Sequence, residues 1–289
     1  MKTVQLNNGI TMPMEGFGVF RVPEASVCKE AVLDAIRTGY RLIDTAAVYG
    51  NEEAVGEAVR EAIDEGLCTR EDLFITSKLW VQDFKNEETA LAGVDASLKR
   101  LGLEYIDLYL LHQALGDYFA AWRGLEAAYD AKKLCAIGVS NFYPNMLANF
   151  CETVRILPAV NQVELHPYYT QENALETMKY YNVIPEAWAP LGGGRYDPFT
   201  DEVFRSVAAA HGKTVSQVLL RWNVQRGVVV IPKSIHRERI EENFDIWDFS
   251  LTDEEMKAIS SHDMGYTGSR AKHFDPDFVR HVVHQKIHP

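Results

Sequence analysis

Apolar residues fall along this chain in short runs, each followed by a polar loop, a stretch of helical period and a stop. The runs cover residues 17–20, 42–43, 73–76, 106–111, 135–139, 160–163, 184–188 and 228–231, and each predicts a strand. Between them, residues 23–38, 52–65, 87–100, 118–131, 171–180 and 215–224 carry apolar side chains near i, i+3, i+4 and i+7. That is the repeat of an amphipathic helix. Asn51, Thr69, Asn145 and Asp201 stand where helix N-caps are expected, and Gly39, Gly66 and Gly102 where helices stop. Ahead of the first run, Asn7-Asn8-Gly9 predicts a hairpin turn between residues 4–6 and 10–12.

Strict alternation of strand and helix implies parallel strands joined by right-handed crossovers. Eight such units favour a closed (β/α)8 TIM barrel, an α/β fold, over an open doubly wound sheet. The sixth and seventh runs are unusual for buried strands, because they carry polar residues and a proline. Residues 252–289 predict one more helix followed by an irregular tail. No repeat, low-complexity tract or Pro/Gly/Ser linker divides the chain, which predicts one domain over residues 1–289.

Composition narrows the class. At 289 residues, 47% hydrophobic and 24% charged, the chain is ordinary for a globular protein and needs no covalent staples. Its four cysteines lack C-x-x-C spacing, which predicts reduced thiols in a cytoplasmic setting, with no zinc site and no disulfide framework. No leader pattern and no run of 18 apolar residues predicts a membrane segment. The net charge of −12 disfavours nucleic acid and anionic membranes as partners. A local basic cluster, residues 233–239, runs against that global sign.

Barrels of this kind carry their active sites at the C-terminal ends of the strands. The reactive groups there are Asp44, Lys78, His112, Ser140, Asn141, Glu164, His166, Trp188 and Lys233. Each has a bland reading of its own. Asp44 would cap a turn, Lys78 would be a solvated loop charge, His112 a core histidine and Tyr49 a packing ring. Together they form a chemical set. A phenol near pKa 10 is a poor acid until a neighbouring cation favours its proton loss. Lys78 would supply that charge and Asp44 would orient Lys78, which suits protonation of a carbonyl oxygen as it becomes an alkoxide. No G-x-G-x-x-G follows a strand, which argues against a Rossmann cofactor site. Residues 231–234, with Arg239, Glu242 and Asn243 beyond them, instead place Lys, Ser and Arg at a strand–helix junction, a setting for a phosphate dianion.

These segments resemble the aldo-keto reductase family. The resemblance rests on Leu42-Ile43-Asp44-Thr45-Ala46 with Tyr49-Gly50-Asn51-Glu52, Thr76-Ser77-Lys78-Leu79-Trp80, Leu110-Leu111-His112, Gly138-Val139-Ser140-Asn141-Phe142, Asn161-Gln162-Val163-Glu164-Leu165-His166-Pro167 and Ile231-Pro232-Lys233-Ser234. They occur in family order from about residue 16 to 243. The resemblance implies an NADPH-dependent reductase of small-molecule carbonyl compounds with Asp44, Tyr49, Lys78 and His112 as catalytic residues. It implies that Ser140, Asn141 and Gln162 hydrogen-bond the nicotinamide carboxamide, and that Trp188, where tyrosine is usual, stacks on the nicotinamide ring, with Leu191 nearby. Lys233, Ser234 and Arg239 match contacts to the 2′-phosphate of NADP, and Glu242 and Asn243 match adenine contacts. Phe20, Trp80 and His112 would line the substrate pocket, with Trp122 as a further candidate, and a tail of roughly residues 262–289 would close over the mouth.

Three departures stand out. His236 replaces a small hydroxyl residue of the phosphate loop, Gln113-Ala114 replaces a frequent Trp-Pro pair, and Phe20 stands where tryptophan is common. The family default is a monomer, and no metal is implied. Two alternatives come from other function classes: a non-catalytic NADP(H)-binding regulatory subunit, and a barrel hydrolase in which Glu164 serves as a second carboxylate. The particular aldehyde or ketone is not legible in the sequence.

Overall fold

The computed structural model describes residues 2–267 and 273–289. Strands β1 (Thr3–Gln5) and β2 (Thr11–Pro13) form an antiparallel hairpin. The barrel strands follow: β3 (Gly16–Gly18), β4 (Leu42–Asp44), β5 (Phe74–Leu79), β6 (Ile106–Leu111), β7 (Leu134–Ser140), β8 (Val160–Glu164), β9 (Ile184–Trp188) and β10 (Val229–Val230). Each is parallel to its neighbour in simple sequence order. The ring closes between its ends, where Glu15 bridges Val230 and Gly18 N–H donates to the Pro232 carbonyl at 3.1 Å. The fold is a (β/α)8 barrel.

Helices α1 (Ala25–Thr38), α2 (Glu52–Asp64), α3 (Glu87–Leu101), α4 (Tyr118–Asp130), α5 (Pro144–Cys151) and α6 (Glu172–Tyr180) fill the crossovers from β3 to β9. Two helices, α7 (Glu202–His211) and α8 (Val215–Gln225), span the last crossover. After β10 come α9 (Arg237–Phe244), α10 (Asp253–Ser260) and α11 (Pro276–His284). The tail expected to be irregular therefore holds a helix, capped by Asp275 and started by Pro276 at its first position. Of the expected tail, residues 268–272 lie outside the described residues.

The expected caps divide. Asp201 caps α7 through hydrogen bonds from the Val203 and Phe204 amides. Asn51 stands at the N-cap of α2 but turns its side chain inward, donating to the Val19 and Val22 carbonyls and accepting from the Thr45 hydroxyl. Thr69 starts no helix and instead donates to Asp72, while Asn145 lies inside α5, where Tyr143 takes the N-cap place before Pro144.

Two apolar layers hold the barrel. Inside, Leu42, Phe74, Leu108, Leu110, Ala136, Val160 and Val229 pack against Leu6 and Met12 of the hairpin. The hairpin plugs the N-terminal end, fastened by Asn7 donating to the Pro158 carbonyl at 2.9 Å and Asn8 to the Cys135 carbonyl at 3.0 Å. Outside, the alternate strand residues meet the helices. With one end plugged, the C-terminal end is the free mouth. Among the described residues no helix is long and apolar enough to cross a membrane.

Candidate active site

A period of two decides which strand residues face each other at the mouth. Along β6, Leu108 and Leu110 belong to the interior layer while Tyr109 and Leu111 meet the helices. His112 is next in step and faces inward. The same step carries β4 from Leu42 to Asp44, and β5 from Phe74 through Thr76 to Lys78 and Trp80. Tyr49 arrives differently, on the short 3₁₀ turn Ala47–Tyr49 that follows β4.

Lys78 is fully buried, and its ammonium donates to both Asp44 carboxylate oxygens, at 2.6 and 2.8 Å, and to the Thr45 carbonyl at 2.9 Å. It lies 3.5 Å from the Tyr49 hydroxyl. Burial pulls the pKa of this lysine down, but the charge and hydrogen bond of Asp44, joined by Tyr49 and Glu186, together raise it. Burial pushes the Tyr49 phenol up to about 12, with Lys78 pulling it down and Asp44 pushing it up. The cation therefore acts in the expected direction without bringing the phenol below its ordinary value, because burial outweighs it and Asp44 offsets part of its field. His112 packs edge-on against Tyr49 and Trp80, with ring centroids 5.6 and 5.2 Å away. Burial, with Lys78 nearby, holds its pKa well below the usual histidine value, so the imidazole is neutral at neutral pH.

The wall of this pocket is aromatic. Phe20 is exposed and tilts against the Tyr49 ring at 4.9 Å, while Trp80 is buried and donates its indole N–H to the Gln285 carbonyl at 3.0 Å. Trp122 does not belong to the wall. It is buried on α4, donates to the Ile156 carbonyl and packs on Phe150 of α5, because helix periodicity turns it outward from the barrel into the helix layer. The described part of the tail crosses the mouth: His273 meets the Tyr143 hydroxyl at 3.1 Å, Thr267 bonds Glu164, and residues 285–288 clasp Trp80 and Gln82.

Across the mouth, Asn141 is held in a left-handed conformation with φ at 64°. Its amide donates to the His112 carbonyl and the Ser140 hydroxyl, and its carbonyl oxygen accepts from the Trp188 indole at 2.9 Å. Ser140 donates to the Gln162 carbonyl at 2.8 Å. Gln162 sends one side-chain nitrogen to two acids, Asp44 at 2.9 Å and Glu186 at 3.1 Å. Ser140, Asn141, Gln162 and Trp188 are thus brought together beside the Asp44–Lys78 pair. Leu191 is half-buried past the end of β9.

The second cluster lies past β10. Lys233 and Arg239 are exposed and, among the described residues, neither is tied in an ion pair. Between them Ser234 is buried, exchanging hydrogen bonds with the His236 backbone, and α9 starts without a side-chain cap. Asn243 is buried on that helix, whereas Glu242 accepts from the Thr214 hydroxyl at 2.9 Å.

Residues 17–264 match the model of the aldo/keto reductase family. The chain belongs to the aldo/keto reductase family. It is 47% identical over 260 residues to a glyoxal reductase of Bacillus subtilis, covering 90% of this chain and 92% of that protein. It is 40% identical over 265 residues to the methylglyoxal reductase DkgA of Escherichia coli, covering 91% and 94%. Among solved structures it resembles a Bombyx mori aldo-keto reductase in complex with NADP, at 35% identity and a TM-score of 0.89, covering 96% and 98% of the two chains. By family it is an oxidoreductase.

One feature of this aldo/keto reductase escaped the sequence. Glu186 sits in mid-strand, fully buried, beside the Asp44–Lys78 pair. A lone acid inside an apolar run was its only signal. Glu164, the candidate second carboxylate, is tied to His166 at 3.1 Å and to Thr267. It fastens loops instead of standing as a free acid in the mouth, which removes its support for a hydrolase.

Proposed function

We propose that this protein reduces small aldehydes and ketones to alcohols with NADPH, and that Tyr49 is the proton donor. The observation that carries the reading is the buried Lys78 ammonium, clamped by Asp44 and set against the Tyr49 hydroxyl. NADPH, when bound, supplies the hydride.

The chain's own residues suit the remaining tasks. A phenol held at about 12 keeps its proton at neutral pH, yet it is a far stronger acid than an alcohol, whose acidity is close to that of water. Protonation of a developing alkoxide by Tyr49 is therefore downhill. The neutral imidazole of His112 can donate one hydrogen bond to the carbonyl oxygen without competing for its proton. Phe20 and Trp80 would keep the reacting carbonyl out of water and favour flat, apolar substituents.

The donor set also fits the dinucleotide. Ser140, Asn141 and Gln162 offer amide and hydroxyl groups for a carboxamide, and Trp188 offers a ring face for the nicotinamide. The unpaired charges of Lys233 and Arg239, with Ser234 and the uncapped start of α9, suit a 2′-phosphate. Glu242 and Asn243 lie one to two turns further along the same helix, within reach of an adenine. The names of the Bacillus and Escherichia relatives make glyoxal and methylglyoxal the first carbonyls to try. We read the chain as one unit acting as a monomer in the cytoplasm.

The deciding experiment follows NADPH oxidation against such a panel in wild type and Tyr49→Phe. Loss of a general acid should lower kcat by about 10²–10⁴-fold. A phenylalanine variant as fast as wild type would remove Tyr49 from the mechanism.

A further inference from the structure

Glu186 is a carboxyl group with no place in the chemistry described so far. Inward parity along β9 runs from Ile184 through Glu186 to Trp188, which puts Glu186 one layer below the indole. It is fully buried, and one of its oxygens, Oε1, has no hydrogen-bond partner among the described residues. The other accepts from Gln162 Nε2, the same nitrogen that donates to Asp44.

Two consequences follow from that shared nitrogen. An amide NH₂ group has two hydrogens, and here each goes to a different acid. The Gln162 side chain is therefore locked with its carbonyl oxygen turned away from both acids, as an acceptor. Without Glu186 as second acceptor, nothing on β9 would hold the second hydrogen. The other consequence is electrostatic. Asp44 and Glu186 share one buried cation, Lys78, and two ionised carboxylates beside a single ammonium leave an unbalanced buried charge.

We propose that Glu186 is a positioning residue for both halves of the reaction: it fixes the Gln162 amide that receives the nicotinamide carboxamide, and its ionisation sets the alkaline limit of carbonyl reduction. The proposal rests on the reading of Tyr49 as proton donor and of Gln162 as a nicotinamide contact.

The groups that face Glu186 are Asp44 on β4, Lys78 on β5 and Tyr49 on the turn after β4. Its register partners on either side, Gln162 on β8 and Val229 on β10, carry no charge. Burial, with Asp44 adding to it, pushes Glu186 up to about 8, so the group is protonated at neutral pH. Above that value a new negative charge faces Lys78 and Tyr49. It draws the ammonium away from the phenol and makes Tyr49 a weaker acid. Reduction should fall as pH rises through about 8, far below the range in which Tyr49 itself titrates.

The test compares wild type, Glu186→Gln and Glu186→Leu. Glutamine keeps an acceptor for Gln162 and removes the titration; leucine removes both. The pH profile of kcat for aldehyde reduction should show a wild-type alkaline limb near 8 whose midpoint moves up by more than one unit in Glu186→Gln. NADPH fluorescence titration should give a Kd up to about tenfold weaker in Glu186→Leu, the scale of one lost hydrogen bond. Coincident limbs in wild type and Glu186→Gln would overturn the proposal, as would a wild type with no limb in that range. If the leucine variant does not fold, the glutamine profile still decides. A Tyr49→Phe variant with wild-type rate would strike the parent reading instead, and is scored separately in the same assay.

Discussion

The residue that sets the cost of this site is Lys78. An ammonium with no exposure is tolerable only because Asp44 accepts from it twice and the Thr45 carbonyl once. Removing one partner of a buried pair leaves the other charge uncompensated, at a cost of roughly 3–5 kcal/mol. Asp44→Asn should therefore lower stability by about that amount in urea denaturation, and lower kcat as well, because Lys78 loses its orientation. A variant as stable as wild type would mean that Lys78 deprotonates without its partner. Arg239 is the opposite kind of residue: exposed, unpaired among the described residues and free to meet a phosphate. Arg239→Ala should leave folding untouched and raise the KM for NADPH by roughly ten- to a hundredfold, with little change for NADH. A charged hydrogen bond is worth about 1.5–3 kcal/mol, which sets that scale. Equal effects on the two cofactors would place Arg239 outside the phosphate site.

At the scale of elements, the rhythm of the chain made the barrel legible, and polar residues inside strands obscured it. Asn161, Gln162, Glu164 and Glu186 made β8 and β9 look poor candidates for burial. Gln162, Glu164 and Glu186 are buried because these strands run to the mouth, where inward positions meet other polar groups instead of the apolar layer below. Asn161, on the outward parity, is instead buried by hydrogen bonds with the Phe142 backbone. Periodicity alone carries no information on which end of a strand will be plugged. For α7 only the start was marked, by Asp201, and α11 was not foreseen, a short helix set off by Asp275 and Pro276 in the expected irregular tail. The catalytic candidates were readable because Asp44, Lys78 and His112 each end a run. Glu186 was not, because its role depends on Gln162 across the strand pair.

One contact between elements is visible only in three dimensions. Gly56 on α2 lies so close to the end of α3 that a Cβ there would overlap the Leu101 backbone carbonyl. Backbone cannot retreat as a side-chain tip can, so Gly56→Ala should push the two helices apart. The expected loss is about 1–3 kcal/mol, although alanine is the better helix former. Thermal unfolding would read it, and an unchanged or higher Tm would show that the helices slide at no cost.

For the whole molecule, the weak point is the seam that closes the ring. Strand β10 has two residues, and its link to the first strand depends on Val230 N–H donating to the Met14 carbonyl at 3.1 Å and Gly18 N–H to the Pro232 carbonyl. Beside that seam Glu15 is fully buried, accepting from the Trp247 indole at 2.7 Å through one oxygen while the other has no partner among the described residues. Burial pushes its pKa up to about 8 against the pull of that hydrogen bond. The folded state therefore holds a proton that the unfolded chain releases above the ordinary glutamate value of 4.5. Stability from this group is complete below the unfolded value, and it is lost as pH rises toward and through about 8. The slope in that window is at most roughly 1.4 kcal/mol per pH unit. Glu15→Gln keeps an acceptor for Trp247 and removes the titration. Its stability relative to wild type should therefore rise steadily from about pH 5 to the folded pKa near 8 and level off above it. Glu186 has the same sign but is present in both proteins, so the difference between their denaturation curves isolates Glu15. A difference that is constant with pH would mean that Glu15 ionises at no cost, and that closure of the barrel does not depend on its proton.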